Sequence, residues 1–283
     1  MAQMNEQLCA FLGGWSVPYA SNEGVRIHYE VEGSGPPLFL HVGFLGTLED
    51  WRREDTRYVE ALRDAYRLVL LDPRGQGRSE APHDPSAYTL DQRVGDVLAV
   101  LDAEGIERTH YWGYSMGGWV GFGLGMQAPD RVVSLVLGGT DPFEQGAGPI
   151  EDDAWLRLFR QGMPAFVADW ERHDPNMPAI MRERWLTLDA QAMAAAQEAG
   201  LTAPSLEDAL PTIKTPTLIY FGTGDYPDRL LERAAAKMPN ATVVALEGLN
   251  HAQAIRRSDL VFPHVQAFLD RVTRAAEATA NPN

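Results

Sequence analysis

Short apolar runs alternate along this chain with stretches whose apolar residues recur every three to four positions. "VRIHYEVEG" alternates apolar and polar residues as a half-buried strand does. "PLFLHVG" and "YRLVLLDPRG" are continuously apolar, as strands in the middle of a sheet are. Between the last two, "LEDWRREDTRYVEALRDA" sets Trp51, Tyr58 and Leu62 at helical spacing, which predicts one helix there. Thr89 and Gln92 have the capping-box spacing ahead of Val94, Val97, Leu98 and Leu101, so a second helix is expected to start at that point.

The alternation continues with "THYWGYS" as strand, Met116 to Ala128 as helix and "RVVSLVLGG" as strand. Such an order signals a parallel sheet covered on both faces, and hence an α/β fold. It then breaks. From Asp141 to about Leu210 there is no clear strand, only helical patches carrying Trp155, Phe159, Met163, Phe166, Trp170, Met181 and Trp185. After Pro211, "PTLIYFG", "RLLERAAAKM", "ATVVALEG" and an amphipathic run from about Asp259 to Ala275 read as strand, helix, strand and helix. Residues 1–140 and 211–283 are therefore expected to form one core, with residues 141–210 inserted as a helical cap.

Composition excludes some classes of function. A formal charge of −15 over 283 residues argues against a nucleic-acid partner, which needs a basic footprint. Cys9 is the only cysteine, so the chain can form no internal disulfide and no multi-thiolate metal site, and a reducing, cytoplasmic setting fits. The early apolar stretch "LCAFLGGW" follows Glu6 and lacks the basic start of a signal peptide. No apolar run reaches the roughly 20 residues of a membrane helix. Metalloprotease spacings are absent, and "DPRGQGRS" lacks both the P-loop ending and the G-x-G-x-x-G spacing. No metal, cofactor or membrane partner is expected. The apolar residues among the first 23 are candidates to dock on the body or on a second subunit of a homo-oligomer.

Candidate chemistry centres on "YWGYSMGG", residues 111–118. A serine hydroxyl becomes a useful nucleophile when it is exposed, aimed at a carbonyl and served by a base. A sharp strand-to-helix turn provides the aim, and it crowds the positions two before and two after the serine, which here are Gly113 and Gly117. The stripe Gly113, Gly117, Gly121, Gly125 also suits close packing of the helix on the sheet. His251 in "EGLNHAQA", after the last predicted strand, is the best-placed base. His28 and His264 lie in amphipathic elements and read as structural. Asp225 in "YFGTGDYPD" follows a strand through a glycine-rich turn and is the candidate to orient the imidazole. Asp228 reads as a helix cap, and Asp141 is the rival acid. The amide of Met116, at the helix start beside the nucleophile, is a candidate oxyanion donor.

Together these segments resemble the α/β-hydrolase family over about residues 24–275, the insertion excepted. "GYSMGG" is similar to the family's nucleophile elbow, "DPRGQGRS" to the loop after its fourth strand, "FGTGD" to its acid turn and "LNHA" to its histidine loop. The resemblance implies a cofactor-free hydrolase with Ser115, His251 and Asp225 as its triad. It further implies that the loop "HVGFLG" supplies the second oxyanion amide, taken as Phe44 with Gly43 as the alternative, because Val42 shifts the family's His-Gly spacing. His41 is then a structural residue of that loop. The cap resembles the family's lid, and its Trp155, Phe159 and Trp185 are expected to wall a pocket for a small, neutral, hydrophobic substrate. The expected reaction is hydrolysis of a carboxylic ester through an acyl-enzyme. A lactonase, a carbon-carbon bond hydrolase and a ligand-binding receptor on the same scaffold are the alternatives.

Overall fold

The apolar runs assemble into one eight-stranded sheet in the computed structural model, which describes residues 18–143, 149–225 and 228–280. Its strands are β1 (Tyr19–Asn22), β2 (Val25–Glu32), β3 (Pro37–His41), β4 (Arg67–Leu71), β5 (Thr109–Tyr114), β6 (Val132–Gly138), β7 (Thr217–Gly222) and β8 (Ala241–Leu246). The order across the sheet is β1-β2-β4-β3-β5-β6-β7-β8. β2 pairs antiparallel with both β1 and β4, and every other pair is parallel.

The twofold period of a strand explains why the central strands read as unbroken apolar runs. Phe39, Val69, Leu71, Tyr111, Leu135 and Leu137 belong to the core on one face, while Leu38, Leu40, Leu68, Leu70, Trp112 and Val136 belong to the core on the other. The first face is covered by α2 (Leu90–Ala103) and α3 (Met116–Gln127), which follow α1 (Tyr58–Leu62) in the chain. Val261, Val265, Phe268 and Leu269 from the C-terminal segment cover the second face.

Between β6 and β7 lie α4 (Ala154–Gln161), α5 (Met163–His173), α6 (Ala179–Leu186) and α7 (Ala190–Leu201), with no strand among the described residues of that span. Phe159, Met163, Phe166, Val167, Trp185 and Met193 form a third apolar cluster there, and it reaches the body at Leu45 and Tyr88. The sheet then resumes with β7, α8 (Asp228–Lys237) and β8, followed by α9 (His251–Arg256) and α10 (Ser258–Ala280).

Two local expectations need correction. The single helix expected over 48–65 is instead a 3-10 turn at Leu48–Arg52 and the short α1, because Arg53 is extended (ψ 138°) and Arg57 is left-handed (φ 54°). Trp51 and Tyr58 still meet in the core, with ring centroids 5.8 Å apart, so the helical spacing reported a shared buried face and not one continuous helix. At α2, Thr89 caps the Gln92 amide as expected, but the Gln92 side chain turns to Glu23 at 2.8 Å instead of closing the box. Residues 19–22 dock on the body as the edge strand β1. Residues 1–17 lie outside the described structure. Among the described residues no helix is long and apolar enough to cross a membrane, and no three His, Cys, Asp or Glu side chains are grouped to hold a metal.

Three histidines, His28, His41 and His110, are buried, and burial shifts the last two. His41 contacts the Tyr111 hydroxyl through Nδ1 at 2.7 Å, and burial holds its imidazole down to about 3. His110 contacts Ser134 Oγ through Nδ1 at 2.7 Å and is held down to about 4, again chiefly by burial. Unfolding lets both protonate near their ordinary value of about 6.5, so the unfolded chain binds more protons below that pH. The stability each contributes is complete above about pH 6.5 and is lost as pH falls toward the folded value, at about 2 kcal/mol per histidine by pH 5. Denaturant midpoints at pH 7 and pH 5 should show this loss, and His110→Gln should lose less between the two pH values than the parent chain.

Candidate active site

Ser115 joins β5 to α3 with φ 55° and ψ −121°, a combination an L-residue holds only when its surroundings enforce it. The enforcing contacts are backbone on backbone. A Cβ at Gly113 would stand 2.1 Å from the Gly117 carbonyl oxygen, and one at Gly117 would stand 2.2 Å from that of His41. Gly121 and Gly125 keep the approach close further along, against Leu137 and Leu135. The Ser115 amide donates to the Gly138 carbonyl at 2.8 Å, which ties the turn to β6.

The loops after β7 and β8 are stitched together before they reach the serine. Thr223 and Gly224 donate their amides to the carbonyls of Leu246 and Leu249 at 3.1 and 3.0 Å, and the Gly248 amide donates to Thr223 Oγ1 at 2.8 Å. Gly222 has no room for a side chain, since a Cβ would lie 2.0 Å from the Leu249 carbonyl oxygen. Asp225 follows directly. His251 opens α9, whose start is fixed by a reciprocal box between Asn250 and Gln253, and the Tyr114 hydroxyl donates to the His251 carbonyl at 2.5 Å. His251 Nδ1 lies 2.7 Å from Asp225 Oδ2. With its proton on Nδ1 donated to that carboxylate, the imidazole carries a lone pair on Nε2.

Asp141 instead accepts the Phe143 amide at 2.9 Å. The Asp228 side chain lies outside the described residues. His28 is buried, with Nδ1 2.7 Å from Asp72 Oδ2, and His264 is exposed on α10.

The loop after β3 carries Phe44 between Gly43 and Leu45, and Leu45 is left-handed (φ 65°). Gln76, from "DPRGQGRS", holds this loop from beneath. Its Oε1 accepts the Leu45 amide at 2.7 Å, and its Nε2 donates to the carbonyls of Gly46 at 2.9 Å and Gly43 at 3.3 Å. Asp72 anchors the neighbouring turns by accepting the amides of Leu48 and Arg78, both at 2.9 Å. Among the described residues, the amides of Phe44 and Met116 donate to no acceptor in the chain, which leaves both available to a ligand.

Two cavities meet at Ser115 and Phe44. One, of about 250 Å³, is lined by His251, Trp155, Trp170 and Trp185 among others. The second, of about 200 Å³, lies beside α7 and is lined by Met116, Tyr88, Arg93, Trp119, Thr140 and Gln197 among others. Trp155 and Trp185 stand on the wall of the first cavity. Phe159 lines neither cavity: it is buried in the insertion, stacked on Phe166 at 4.5 Å, and meets Phe44 only edge-on. Its helical spacing marked a core position of the insertion.

This sheet order, interrupted before β7 by helices and carrying a serine turn after β5, is that of the α/β-hydrolase fold, and the chain has that fold. The family description "alpha/beta hydrolase fold" matches residues 36–174. A protein named "Putative carbamate hydrolase RutD" from Stutzerimonas stutzeri (strain A1501) is 28% identical over 275 residues, covering 87% of this chain and 96% of that protein. The protein of the same name from Azorhizobium caulinodans is 36% identical over a shorter span of 121 residues, 43% of each chain. Among solved structures, the enol-lactonase from Burkholderia xenovorans LB400 is 29% identical with a TM-score of 0.76, over 89% of this chain and all of that one. These likenesses support a hydrolase.

Sequence reasoning took "DPRGQGRS" only as a turn and overlooked Gln76, although a glutamine fenced by Gly75 and Gly77 was a signal that backbone groups had to be reached there. Gln76→Leu keeps much of the volume but leaves the Leu45 amide and the Gly43 and Gly46 carbonyls without their partner. It should cost about 1–3 kcal/mol of stability, read from the denaturant midpoint at constant slope.

Proposed function

We propose that the protein hydrolyses carboxylic esters, lactones included, with Ser115 as nucleophile, His251 as general base and acid, and Asp225 as the carboxylate that orients the imidazole. The observation that carries this reading is the His251 Nδ1 to Asp225 Oδ2 contact of 2.7 Å, in a site where His251 and the strained Ser115 line the same cavity.

Ser115 Oγ adds to the ester carbonyl while His251 Nε2 takes its proton, and the carbonyl oxygen gathers charge between the amides of Phe44 and Met116. Asp225 stabilises the imidazolium that forms. Collapse of the adduct breaks the bond to the alcohol oxygen, which leaves with the proton from His251. Water then adds to the acyl-serine, again giving its proton to His251, and the adduct releases the acid by breaking the bond to Ser115 Oγ, which takes that proton back from His251. The start of α3 contributes its dipole at the Met116 amide, where negative charge develops.

A cyclic ester passes through the same steps, with acid and alcohol remaining in one product. The likeness to an enol-lactonase favours including lactones, and the name carried by the Stutzerimonas relative makes carbamates a further class to assay. Substrate choice then rests with the two cavities that meet at Ser115.

Acid release from a matched panel of linear esters and lactones tests the reading. Repeated turnover is expected, with Ser115→Ala losing about 10⁴-fold or more and Asp225→Asn about 10³- to 10⁴-fold in kcat. Turnover that survives Ser115→Ala overturns it.

A further inference from the structure

Arg93 stands on α2 with only 4% of its surface exposed, yet it lines the cavity beside Ser115 and Met116. Its Nε donates to the Tyr88 carbonyl at 3.1 Å, and its guanidinium carbon lies 5.3 Å from the centroid of the Tyr88 ring. Among the described residues its guanidinium has no other hydrogen bond and no ion pair. The one acid close enough to act on it, Asp96, is already engaged: Arg74 Nε donates to its Oδ2 at 2.7 Å, Arg74 Nη2 pairs with its Oδ1, and Asn22 Nδ2 donates to the same Oδ1 at 2.9 Å. Arg74 lies nearby as well, and His41 is neutral. Two buried guanidinium groups therefore share one carboxylate. Burial lowers Arg93 only to about 10, so it remains a cation at neutral pH.

A buried charge without a partner is costly, and the guanidinium fork is shaped to take a carboxylate through two parallel N–H bonds. No acidic side chain lines this cavity among the described residues. Trp119, on the same wall, has an indole N–H without an acceptor. The missing anion is thus expected from a ligand.

Resting on the reading of Ser115 as nucleophile, we propose that the substrate carries a free carboxylate on its acyl side, and that Arg93 binds it. The assignment to the acyl side follows from the two cavities. His251, which must protonate the departing alcohol, lines only the aromatic cavity, whereas Met116 and Arg93 line only the other. A substrate reacting at Ser115 therefore points its alcohol toward Trp155 and Trp185, and its acyl chain toward Arg93. Monoesters of short dicarboxylic acids, or lactones bearing a carboxylate, fit this arrangement. The neutral substrate expected from the apolar cap does not.

The test compares the para-nitrophenyl monoester of glutaric acid with its neutral isostere, in which an isopropyl group replaces the carboxylate. Ser115→Ala protein supplies the background for both. The parent should favour the anionic ester by about tenfold or more in kcat/KM, and Arg93→Gln should lower that ratio by about 100-fold, with Arg93→Lys between them. Both rates come from one preparation, so the folded fraction cancels. A parent that favours the isostere, or a ratio unchanged in Arg93→Gln, overturns the proposal. Monomethyl glutarate should also raise the melting temperature of Ser115→Ala protein, and adding Arg93→Gln should remove the rise. If neither ester turns over, the serine reading fails, and this binding measurement alone decides the anion site: a rise that depends on Arg93 upholds it, and no rise overturns it.

Discussion

The site depends on how closely the chain passes itself under Ser115. The backbones of β5, the first turn of α3 and the end of β3 meet at Gly113, Gly117 and the His41 carbonyl with no space for a Cβ at either glycine. A helix brought so near its sheet must leave the strand through a turn of one residue, and that residue is driven to φ 55°. A strained serine of this kind costs about 1–3 kcal/mol, which the buried β5 and the apolar α3 can absorb because both are packed against the central strands. Relaxing the approach would relieve the strain, turn the hydroxyl and move the Met116 amide with it. The Ser115 hydroxyl and the Met116 amide are in this sense placed by one backbone feature.

The remaining parts are carried by loops, which position groups well only when they are tied down. Asp225 and His251 come from adjacent parallel strands, and the bonds among Thr223, Gly224, Gly248 and Leu249 make their two loops a single unit. Tyr114, one residue before Ser115, fastens that unit by holding the His251 carbonyl. On the other side Gln76 spans three backbone groups of the Phe44 loop. The serine turn is thereby flanked by two braced loops, each anchored to a different part of the sheet.

Much of this was legible in the chain because it repeats physical rules with short range. Continuous apolar runs predicted the central strands, since both faces of a parallel sheet are buried, and the glycine spacing around Ser115 predicted the elbow. The break in alternation marked the helical insertion. What stayed hidden depends on distant partners. The split of residues 48–65 follows from Arg53 and Arg57 backbone conformations that no periodicity encodes. Edge strand β1 is four residues long and gains its identity only from pairing with β2. Phe159 and Trp155 share one aromatic cluster and one helical pattern, so sequence could not tell the wall from the packing behind it.

Arg93 is the sharpest case of a residue whose meaning lies outside its own helix. On α2 it precedes the core residue Val94, and an arginine there reads as the polar side of an amphipathic helix facing water. In the fold that side faces Tyr88 and the serine cavity, and the acid one helical turn away, Asp96, has been taken by Arg74. A sequence selected for stability alone would avoid a buried cation in this position, because an apolar residue of similar volume is usually tolerated at least as well. Local rules of foldability are broken here as they are at the φ of Ser115, and the two departures lie on the walls of the same cavity. Such conflicts are concentrated where structure is spent on binding or reaction. The charge on the wall therefore says more about the ligand than the apolar residues around it, which any core would contain.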